Sequence, residues 1–394
     1  MSRRLRGAAV VAHGGGPTQV LNASLAGVIR TCRRYPEIER LWGARFGLSG
    51  LLQDDFVDLF AQEDSVISAL ADAPGSAIGS SRRKLTASDY VDVVRVLRRH
   101  EVRYFFYAGG NGSMDTALRV ERTALDQGYE LRVIGIPKTV DNDIALTDHT
   151  PGYASAARFS AFAARDIGAD NRALPSPITV LEVIGRNVGW IAAATALARS
   201  HADDAPHLIY FPERPVSEDR IIADVDSVYR RLGRVVIAVC EGQMNEKGEP
   251  FGADLSKPGS ARDRLASNLG HTLARIISEN LGVRARNEKP GLLSRSSSQF
   301  ASPADRQEAW MCGEAAVQAA AEGLSGKMVT LQREDCDSYK VYTSVVDLGS
   351  VAGIERGFPV EWIAESGNDV RAEFLEYARP LIGEVPAIPL LRSR

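Results

Sequence analysis

The sequence has few cysteines and none in a close pair. Its 394 residues include four cysteines, and no two of them form a Cys-x-x-Cys motif. This spacing argues against a zinc site and against a disulfide framework. Because unpaired cysteines are typical of a reducing compartment, we expect the protein to be cytoplasmic.

Long apolar runs and a strong charge bias are also missing. No stretch approaches about 18 consecutive apolar residues, so no membrane span is expected. Residues 1–12 are basic and then apolar, but the apolar part is too short for a signal peptide and leads into glycines. The formal net charge of -3 gives no general electrostatic reason to bind nucleic acid or an anionic membrane. We therefore expect neither as a partner.

What the chain does contain is typical of a soluble α/β protein. It is 44% hydrophobic and 25% charged, and its length exceeds what one ordinary core holds, so two domains are the default. Apolar runs that end in glycine or proline alternate with helical segments along most of the chain. This alternation predicts an α/β fold with mostly parallel sheets.

The densest group of chemical side chains follows an apolar run at residues 131–136. Lys138, Thr139, Asp141 and Asp143 lie within six residues of one another. In an open α/β sheet, ligands bind beyond the carboxyl ends of the strands. A cation beside two carboxylates suits phosphoryl transfer, because lysine neutralises phosphate oxygens while a carboxylate accepts a hydroxyl proton or holds Mg²⁺. For this loop alone, a solvated turn with a local ion pair would be the commoner explanation.

Two further glycine-rich loops make a phosphate-binding site the better explanation than a solvated turn. Residues 14–18 (Gly-Gly-Gly-Pro-Thr) follow a predicted strand at 7–12, and residues 109–113 (Gly-Gly-Asn-Gly-Ser) follow another at 102–108. Bare backbone N–H groups at a helix N-terminus form a natural phosphate cradle. A basic loop at residues 79–84 (Gly-Ser-Ser-Arg-Arg-Lys) would suit a polyphosphate. Neither glycine loop has the spacing of a dinucleotide fingerprint or a Walker loop.

Capping and turn residues predict several helix boundaries. Ser113 is predicted to cap a helix that runs to about residue 127, and Gly189 with Trp190 to open a helix that ends at residue 200. A further helix is predicted over residues 261–281. Ser302 followed by Pro303 predicts the start of a helix that runs to about residue 322.

The second half of the chain repeats the α/β alternation. Predicted strands at 178–184 and 235–240 lead into Gly185-Arg186 and Glu241-Gly242, where a sugar could bind. Arg286 and Arg295 follow on either side of a Pro-Gly turn.

In this order, the motifs resemble the phosphofructokinase superfamily over most of the chain. The Pro-Lys-Thr-Val-Asp-Asn-Asp motif at residues 137–143 is highly specific. The resemblance implies two Rossmann-like three-layer domains with mostly parallel sheets and an active site in the cleft between them. Residues 1–150 with about 294–345 would bind the phosphoryl donor, and residues 151–293 with part of the C-terminal segment would bind the sugar phosphate. Residues 346–394 would be an extension whose placement the sequence does not fix.

The resemblance also implies roles for individual residues. Asp141 would be the general base, in a catalytic set of Lys138, Thr139, Asp141, Asp143 and Arg186. Mg²⁺ would be the cofactor, held by Asn111 and Asp143. The donor-binding residues would be Gly15, Gly16, Arg82, Gly110, Gly112, Ser113 and Lys138. The substrate-binding residues would be Thr139, Asp141, Ile184, Gly185, Arg186, Glu241, Arg286, Leu292 and Arg295.

The identity of the donor rests on two positions that point in opposite directions. Lys138 stands where ATP-using bacterial members usually have glycine, and it resembles the pyrophosphate-dependent members. Gly112 is the ATP-type residue, because pyrophosphate users usually carry an aspartate there that blocks the nucleotide. Asn111 replaces the usual Mg²⁺-binding aspartate but keeps an oxygen ligand. We favour pyrophosphate and keep ATP as the alternative.

The acceptor implied by the resemblance is fructose 6-phosphate, which would become fructose 1,6-bisphosphate. Two phosphate contacts of the family are absent, because residues 174–177 (Leu-Pro-Ser-Pro) carry no cation and Leu292 stands in place of a histidine. Another sugar phosphate or a polyol therefore stays open, and a non-catalytic homologue is the less favoured alternative. The resemblance further implies a homodimer or homotetramer, with one of Arg286 and Arg295 reaching across a subunit boundary.

Overall fold

The computed structural model describes residues 5–174, 178–252, 268–336, 338–389 and 391. They form two compact units, each made of two stretches of chain. The first unit comprises the chain up to Ser155 together with Arg295–Arg356. The second comprises Ala156–Ser294 together with the chain from Gly357 onward.

The strands and helices of the described residues follow one another in α/β alternation. The strands are β1 (Gly7–His13), β2 (Ile38–Ala44), β3 (Phe56–Asp58), β4 (Val102–Gly109), β5 (Arg132–Pro137), β6 (Ile178–Val183), β7 (Leu208–Ile209), β8 (Val235–Cys240), β9 (Ala285–Glu288), β10 (Lys327–Arg333) and β11 (Val341–Asp347). The helices are α1 (Leu21–Cys32), α2 (Leu48–Leu51), α3 (Asp64–Leu70), α4 (Ala87–Arg99), α5 (Asn111–Asp126), α6 (Tyr153–Ala173), α7 (Trp190–Ala194), α8 (Glu218–Leu232), α9 (Leu269–Leu281), α10 (Leu293–Ser296), α11 (Pro303–Ala321) and α12 (Ala372–Ile382).

The first unit is built on a seven-stranded sheet in the order β11-β10-β5-β4-β1-β2-β3. β1 pairs in parallel with β2 and β4, and β5 pairs in parallel with β4 and β10. Only the edge strands β3 and β11 run antiparallel to their neighbours. Because β1, β4 and β5 are adjacent and parallel, the loops at their carboxyl ends meet at one edge of the sheet.

Successive side chains of β1 point to opposite faces of this sheet and pack in two apolar cores, one on each face. Ala9 and Val11 pack in a cluster with residues of α1 and α11. Val10 and Ala12 pack in a second cluster with residues of α4 and α5. Helices therefore cover both faces, which gives the first unit its three layers.

The second unit has a four-stranded parallel sheet in the order β7-β8-β6-β9. Apolar residues of β6 and β8 pack against α8 and α9. Both units confirm the predicted α/β class with mostly parallel sheets. In the described part of the chain, no helix is both long and apolar enough to cross a membrane.

Two predicted boundaries differ from the structure, and a third lies outside the described residues. Ser113 does not cap α5, because Gly110 takes the cap position in an extended conformation and Ser113 lies in the first turn. The helix opened by Trp190 ends at Ala194 and continues as a 3₁₀ turn, Thr195–Ala198, instead of reaching residue 200. The start of the helix predicted at 261–281 lies outside the described residues, which show it as Leu269–Leu281.

Candidate active site

The three loops predicted to carry the chemistry are joined by Lys138. Its ammonium donates to the carbonyl oxygens of Gly14 and Gly16, at 2.8 Å in each case. Its backbone N–H donates to the carbonyl oxygen of Gly109 at 3.0 Å. The loops after β1, β4 and β5 therefore form one arrangement around a lysine that is only 3% exposed.

Glycine is required where these loops approach one another. A Cβ added to Gly14 or Gly109 would lie 2.4 or 2.0 Å from the Ser113 hydroxyl oxygen, closer than real contacts allow. Gly15 has a φ of +81°, and a Cβ there would lie 3.2 Å from the Lys138 ammonium. The absence of side chains therefore lets the two glycine loops and the Lys138 ammonium pack together.

Two arginines also reach the first glycine loop. The Gly16 Cα faces Arg295 and Arg82 so closely that an added Cβ would lie 2.2 Å from Arg295 Nη1 and 3.2 Å from Arg82 Nη2. The structure thus brings Arg82, Arg295 and Lys138 to the same loop of the first unit. Three cations around one glycine loop form a strong site for a phosphate-bearing ligand.

The segment that carries Arg82 is anchored to the same loop. Gly15 N–H donates to the Ser81 carbonyl oxygen at 2.9 Å, and the Ser80 hydroxyl donates to the Gly15 carbonyl oxygen at 2.7 Å. Beneath it lies His13, which is fully buried and 2.7 Å from the Ser76 hydroxyl. Burial and the charge of Lys138 lower the pKa of His13 to about 3, so this imidazole is neutral at physiological pH.

The acid loop, which we define as residues 141–148, is held in an unusual conformation. Asn142 has a φ of +58°, which is uncommon for a residue other than glycine. Its side-chain oxygen accepts a hydrogen bond from Thr150 N–H at 3.0 Å. On the strand side, Asp141 N–H donates to the Thr139 hydroxyl at 3.1 Å. Asp141 and Asp143 are only 8% and 6% exposed.

Asn111 and Asp143 offer oxygen ligands that fit Mg²⁺. Asn111 Nδ2 donates to the carbonyl oxygen and to Oδ2 of Asp143, at 3.0 and 3.1 Å. Asn111 Oδ1 is buried and has no hydrogen-bond partner, so it is an orphaned acceptor beside a carboxylate. Among the described residues, no group of three or more His, Cys, Asp or Glu could hold a metal. Mg²⁺ commonly uses one or two protein ligands and completes its shell with phosphates and water.

In the second unit, the carboxyl ends of β6 and β8 bring Arg186 and Glu241 together. Arg186 follows Ile184 and Gly185 and has a φ of +53°. Its carbonyl oxygen accepts a hydrogen bond from the Cys240 thiol at 3.4 Å, directly before Glu241. A Cβ added to Gly242 would lie 1.7 Å from the same oxygen, so only glycine allows these two turns to meet.

Of the remaining predicted substrate-binding residues of the second unit, Arg286 lies away from Arg186. Arg286 lies on β9 opposite Thr179 of β6, about four residues before the end at which Arg186 lies. At about 3.3 Å per residue, this separates the two arginines by roughly 13 Å along the strand. Leu292 is 65% exposed and brings no charge. Pro177 lies outside the described residues.

The order of these loops is matched by a family model. The model described as Phosphofructokinase covers residues 8–320, which include all three loops and both turns of the second unit. The chain belongs to the phosphofructokinase family.

Similar proteins extend this match over nearly the whole phosphofructokinase chain. A pyrophosphate–fructose 6-phosphate 1-phosphotransferase from Rhodospirillum rubrum is 40% identical over 96% of this chain and 95% of its own. A sulfofructose kinase from Alkalicoccus urumqiensis is 31% identical over 90% of this chain and 91% of its own. The crystal structure of a pyrophosphate-dependent phosphofructokinase from Marinobacter aquaeolei is 33% identical, with a TM-score of 0.87 over 98% of this chain and 94% of that chain.

The motifs of this phosphofructokinase did not reveal a buried acid on α11 that supports the acid loop. The carboxylate of Asp305 accepts hydrogen bonds from Gly152 N–H at 2.8 Å and from Ser155 N–H at 3.0 Å. Burial raises the pKa of Asp305 to about 6, although these hydrogen bonds favour the charged form. The Asp305 carboxylate thereby fixes the start of α6, which is separated from the end of the acid loop by four residues.

A buried histidine makes a second such link. His149 lies between Asp148 and Glu308, at 2.7 and 2.6 Å from their carboxylate oxygens. Burial alone would lower the pKa of His149, but the hydrogen bonds to these two carboxylates raise it to about 9. A charged imidazolium therefore connects the end of the acid loop to α11.

Proposed function

We propose that this phosphofructokinase transfers a phosphoryl group from pyrophosphate to the 1-hydroxyl of fructose 6-phosphate. The products are fructose 1,6-bisphosphate and phosphate, a step of glycolysis that also serves gluconeogenesis, in the cytoplasm. The 40% identical relative is named for this reaction. The observation that carries the proposal is Lys138, whose ammonium reaches the carbonyls of Gly14 and Gly16 at 2.8 Å. There it neutralises a short, highly charged donor on the glycine loop.

The first unit binds the donor in this proposal. The backbone of the glycine loops and the N-terminus of α5 face the phosphate oxygens, and two cations add their charge. The donor-binding residues are Gly15, Gly16, Arg82, Gly110, Gly112, Ser113 and Lys138.

The chemical step is a single displacement at phosphorus. The 1-hydroxyl oxygen of the sugar forms a bond to one phosphorus of pyrophosphate, and the bond from that phosphorus to the bridging oxygen breaks. Phosphate leaves with the bridging oxygen, and the hydroxyl proton passes to the Asp141 carboxylate. Thr139 orients Asp141 through its backbone N–H, at 3.1 Å. Most of the rate comes from positioning and charge neutralisation, because the nucleophile needs only modest activation.

Asp143 and Asn111 would hold Mg²⁺, through the Asp143 carboxylate and Asn111 Oδ1. When bound, this cation neutralises charge on the donor phosphate oxygens. The Asn111 amide group keeps its hydrogen bonds to Asp143 and so fixes the direction of the free oxygen.

The second unit binds the sugar phosphate in this proposal. The proposed residues of this unit are Ile184, Gly185, Arg186, Glu241, Arg286 and Leu292. The proposed substrate-binding residues of the first unit are Thr139, Asp141 and Arg295. Arg186 belongs to both the binding and the catalytic set. Because Arg286 lies near the start of β6, we propose that it serves the site of a second copy of the chain. This requires a homodimer or homotetramer, which light scattering of the purified protein tests.

ATP is a second candidate donor, and Gly112 favours it. Gly112 is exposed, and a Cβ added there would meet no atom within 4 Å. The space beside the first turn of α5 is therefore open where a longer donor than pyrophosphate would extend.

The experiment compares the two donors on the purified protein. Formation of fructose 1,6-bisphosphate is measured with Mg²⁺ and fructose 6-phosphate, with pyrophosphate or ATP supplied in parallel. Turnover with pyrophosphate alone is the expected result. Turnover with ATP alone would overturn the proposed donor. If fructose 6-phosphate reacts with neither donor but sulfofructose, for which the 31% identical relative is named, is phosphorylated, the proposed acceptor is overturned.

A further inference from the structure

The last residue of the first unit is an arginine that contacts the acid loop. Leu348 and Val351 are fully buried in the core of this unit, so the chain that leads to Arg356 is anchored. Glu355 forms an antiparallel bridge with Ile144, and Arg356 N–H donates to the Asp143 carbonyl oxygen at 2.8 Å. The backbone at 355–356 thus pairs with the backbone beside Asp143.

The Arg356 side chain then reaches three carbonyl oxygens of the same loop. Nε and Nη2 donate to the Asn142 carbonyl oxygen at 3.2 and 3.0 Å. Nη1 donates to the carbonyl oxygens of Thr147 and Asp148 at 2.6 and 2.7 Å. A guanidinium presents its donors in a rigid plane, so one side chain fixes the distance between the two ends of the loop.

The position of these contacts gives them a catalytic consequence. Asn142, with its positive φ, separates Asp141 from Asp143, and such a conformation persists only when surrounding contacts over-determine it. Thr150 holds the Asn142 side chain, and Arg356 holds its carbonyl group. If Asn142 relaxed toward negative φ, both neighbouring carboxylates would change direction.

We propose that Arg356 is a positioning residue for phosphoryl transfer. It acts through Asn142, keeping Asp141 directed at the acceptor hydroxyl and Asp143 directed at the metal. This inference rests on the proposed function. A purely structural arginine would stabilise the fold without changing the geometry of the two acids.

The test uses two variants and one control. Arg356→Gln removes the charge, and Arg356→Lys keeps the charge but not the planar set of donors. The control is Arg214→Gln, because Arg214 also donates to two backbone carbonyls, those of Ala364 and Glu365 at 3.1 and 3.0 Å, in the second unit. Each variant is measured for kcat, for KM of fructose 6-phosphate, for the half-saturating Mg²⁺ concentration and for thermal unfolding.

We expect kcat to fall about 100-fold in Arg356→Gln and about 10-fold in Arg356→Lys, since small misplacements of reacting groups cost factors of this size. The half-saturating Mg²⁺ concentration rises, while KM of fructose 6-phosphate changes less than about three-fold. Hydrogen exchange of amides 141–148 accelerates in both variants and stays unchanged in the control. A folded Arg356→Lys protein with kcat within about two-fold of the wild type would overturn the proposal. If Arg356→Gln does not fold, the Arg356→Lys variant alone provides the test.

The failure of this inference is distinguishable from failure of the proposed function. If the wild type transfers no phosphoryl group from either donor, the function fails, and hydrogen exchange still tests the contact. In that case, unchanged exchange of amides 141–148 in Arg356→Lys would overturn the role of Arg356 as well.

Discussion

Lys138 and Asp141 belong to one short loop, but their surroundings suit them to different tasks. Two carbonyl oxygens orient the Lys138 ammonium, and we propose that it neutralises a phosphate oxygen of the donor. Asp141 is nearly as buried, at 8% exposed, and Thr139 fixes its backbone. We propose this carboxylate as the general base, which must lie within hydrogen-bond reach of the acceptor hydroxyl.

Replacement of Asp141 with serine should abolish turnover while the protein still folds. A general base contributes a factor of about 10²–10⁴, so we expect kcat to fall by about 10³ with little change in the melting temperature. Asp126→Ser, at an exposed position at the end of α5, is the matched control and should retain kcat within about two-fold. Steady-state kinetics and circular dichroism measure both properties, and an active Asp141→Ser protein would remove Asp141 from its role.

Substitution of Gly112 with aspartate tests donor choice. A Cβ added at Gly112 meets no atom within 4 Å, and a carboxylate in the first turn of α5 is favoured by the helix dipole. We expect any ATP-supported rate to fall more than about 10-fold, through charge repulsion and occupied space, and the pyrophosphate-supported rate to stay within about three-fold. The rates with each donor measure this directly. Equal losses with both donors would show that Gly112 does not select between them.

The residues that sequence could identify are those in contiguous motifs. Lys138, Asp141 and Asp143 lie within one such motif, and the structure brings Lys138 and Asp143 to the glycine loops. His149 and Arg356 could not be identified, because the partners that give them a role are far away in the chain. His149 contacts Glu308, 159 residues later, and Arg356 contacts Asn142, 214 residues earlier. No local pattern records such pairs.

At the scale of elements, buried strands were predictable and helix ends were not. The predicted strand at 235–240 matches β8, because parallel strands covered on both faces read as continuous apolar runs. The predicted cap of α5, Ser113, lies three residues after the observed cap, Gly110. Serine is a common capping residue in any sequence, whereas Gly110 takes the cap position because of its extended conformation. Tertiary contacts between glycine loops decide that conformation, and a sequence pattern does not contain them.

The link between the acid loop and α11 should make stability depend on pH. The folded pKa of His149 is about 9, raised from 6.5, so its contribution is complete below pH 6.5 and is lost as the pH rises through about 9. We expect the free energy of unfolding to fall by about 3 kcal/mol over this range. Urea denaturation at pH 6.5, 8 and 9.5 measures the change.

His149→Gln should flatten this pH dependence, because glutamine does not titrate. Exposed His271 provides the control, and His271→Gln should keep the slope of the wild type. A wild-type protein whose stability is level between pH 6.5 and 9.5 would contradict a charged His149 in the folded state.

At the scale of the whole molecule, the sequence left residues 346–394 without a place, and the structure divides them between the two units. Residues up to Arg356 belong to the first unit, and the chain from Gly357 belongs to the second. In the second unit, Phe358 and Phe374 pack with their ring centroids 5.2 Å apart, and Phe358 lies 5.2 Å from Trp190 at the start of α7. Trp190 and Phe358 lie far apart in the chain, so no local pattern of the sequence indicates that they share a core.

Truncation of this aromatic core should weaken the second unit selectively. Phe374 is fully buried and contacts Phe358 and Trp362, so Phe374→Ala should cost about 3–5 kcal/mol. Val360→Ala, at a position 62% exposed, should cost less than about 0.5 kcal/mol. Hydrogen exchange should accelerate in α7 and α12 while the amides of β1 keep their protection, because local stability follows cooperative units. Equal acceleration in β1 would show that the C-terminal segment stabilises both units, which would refute its assignment to the second alone.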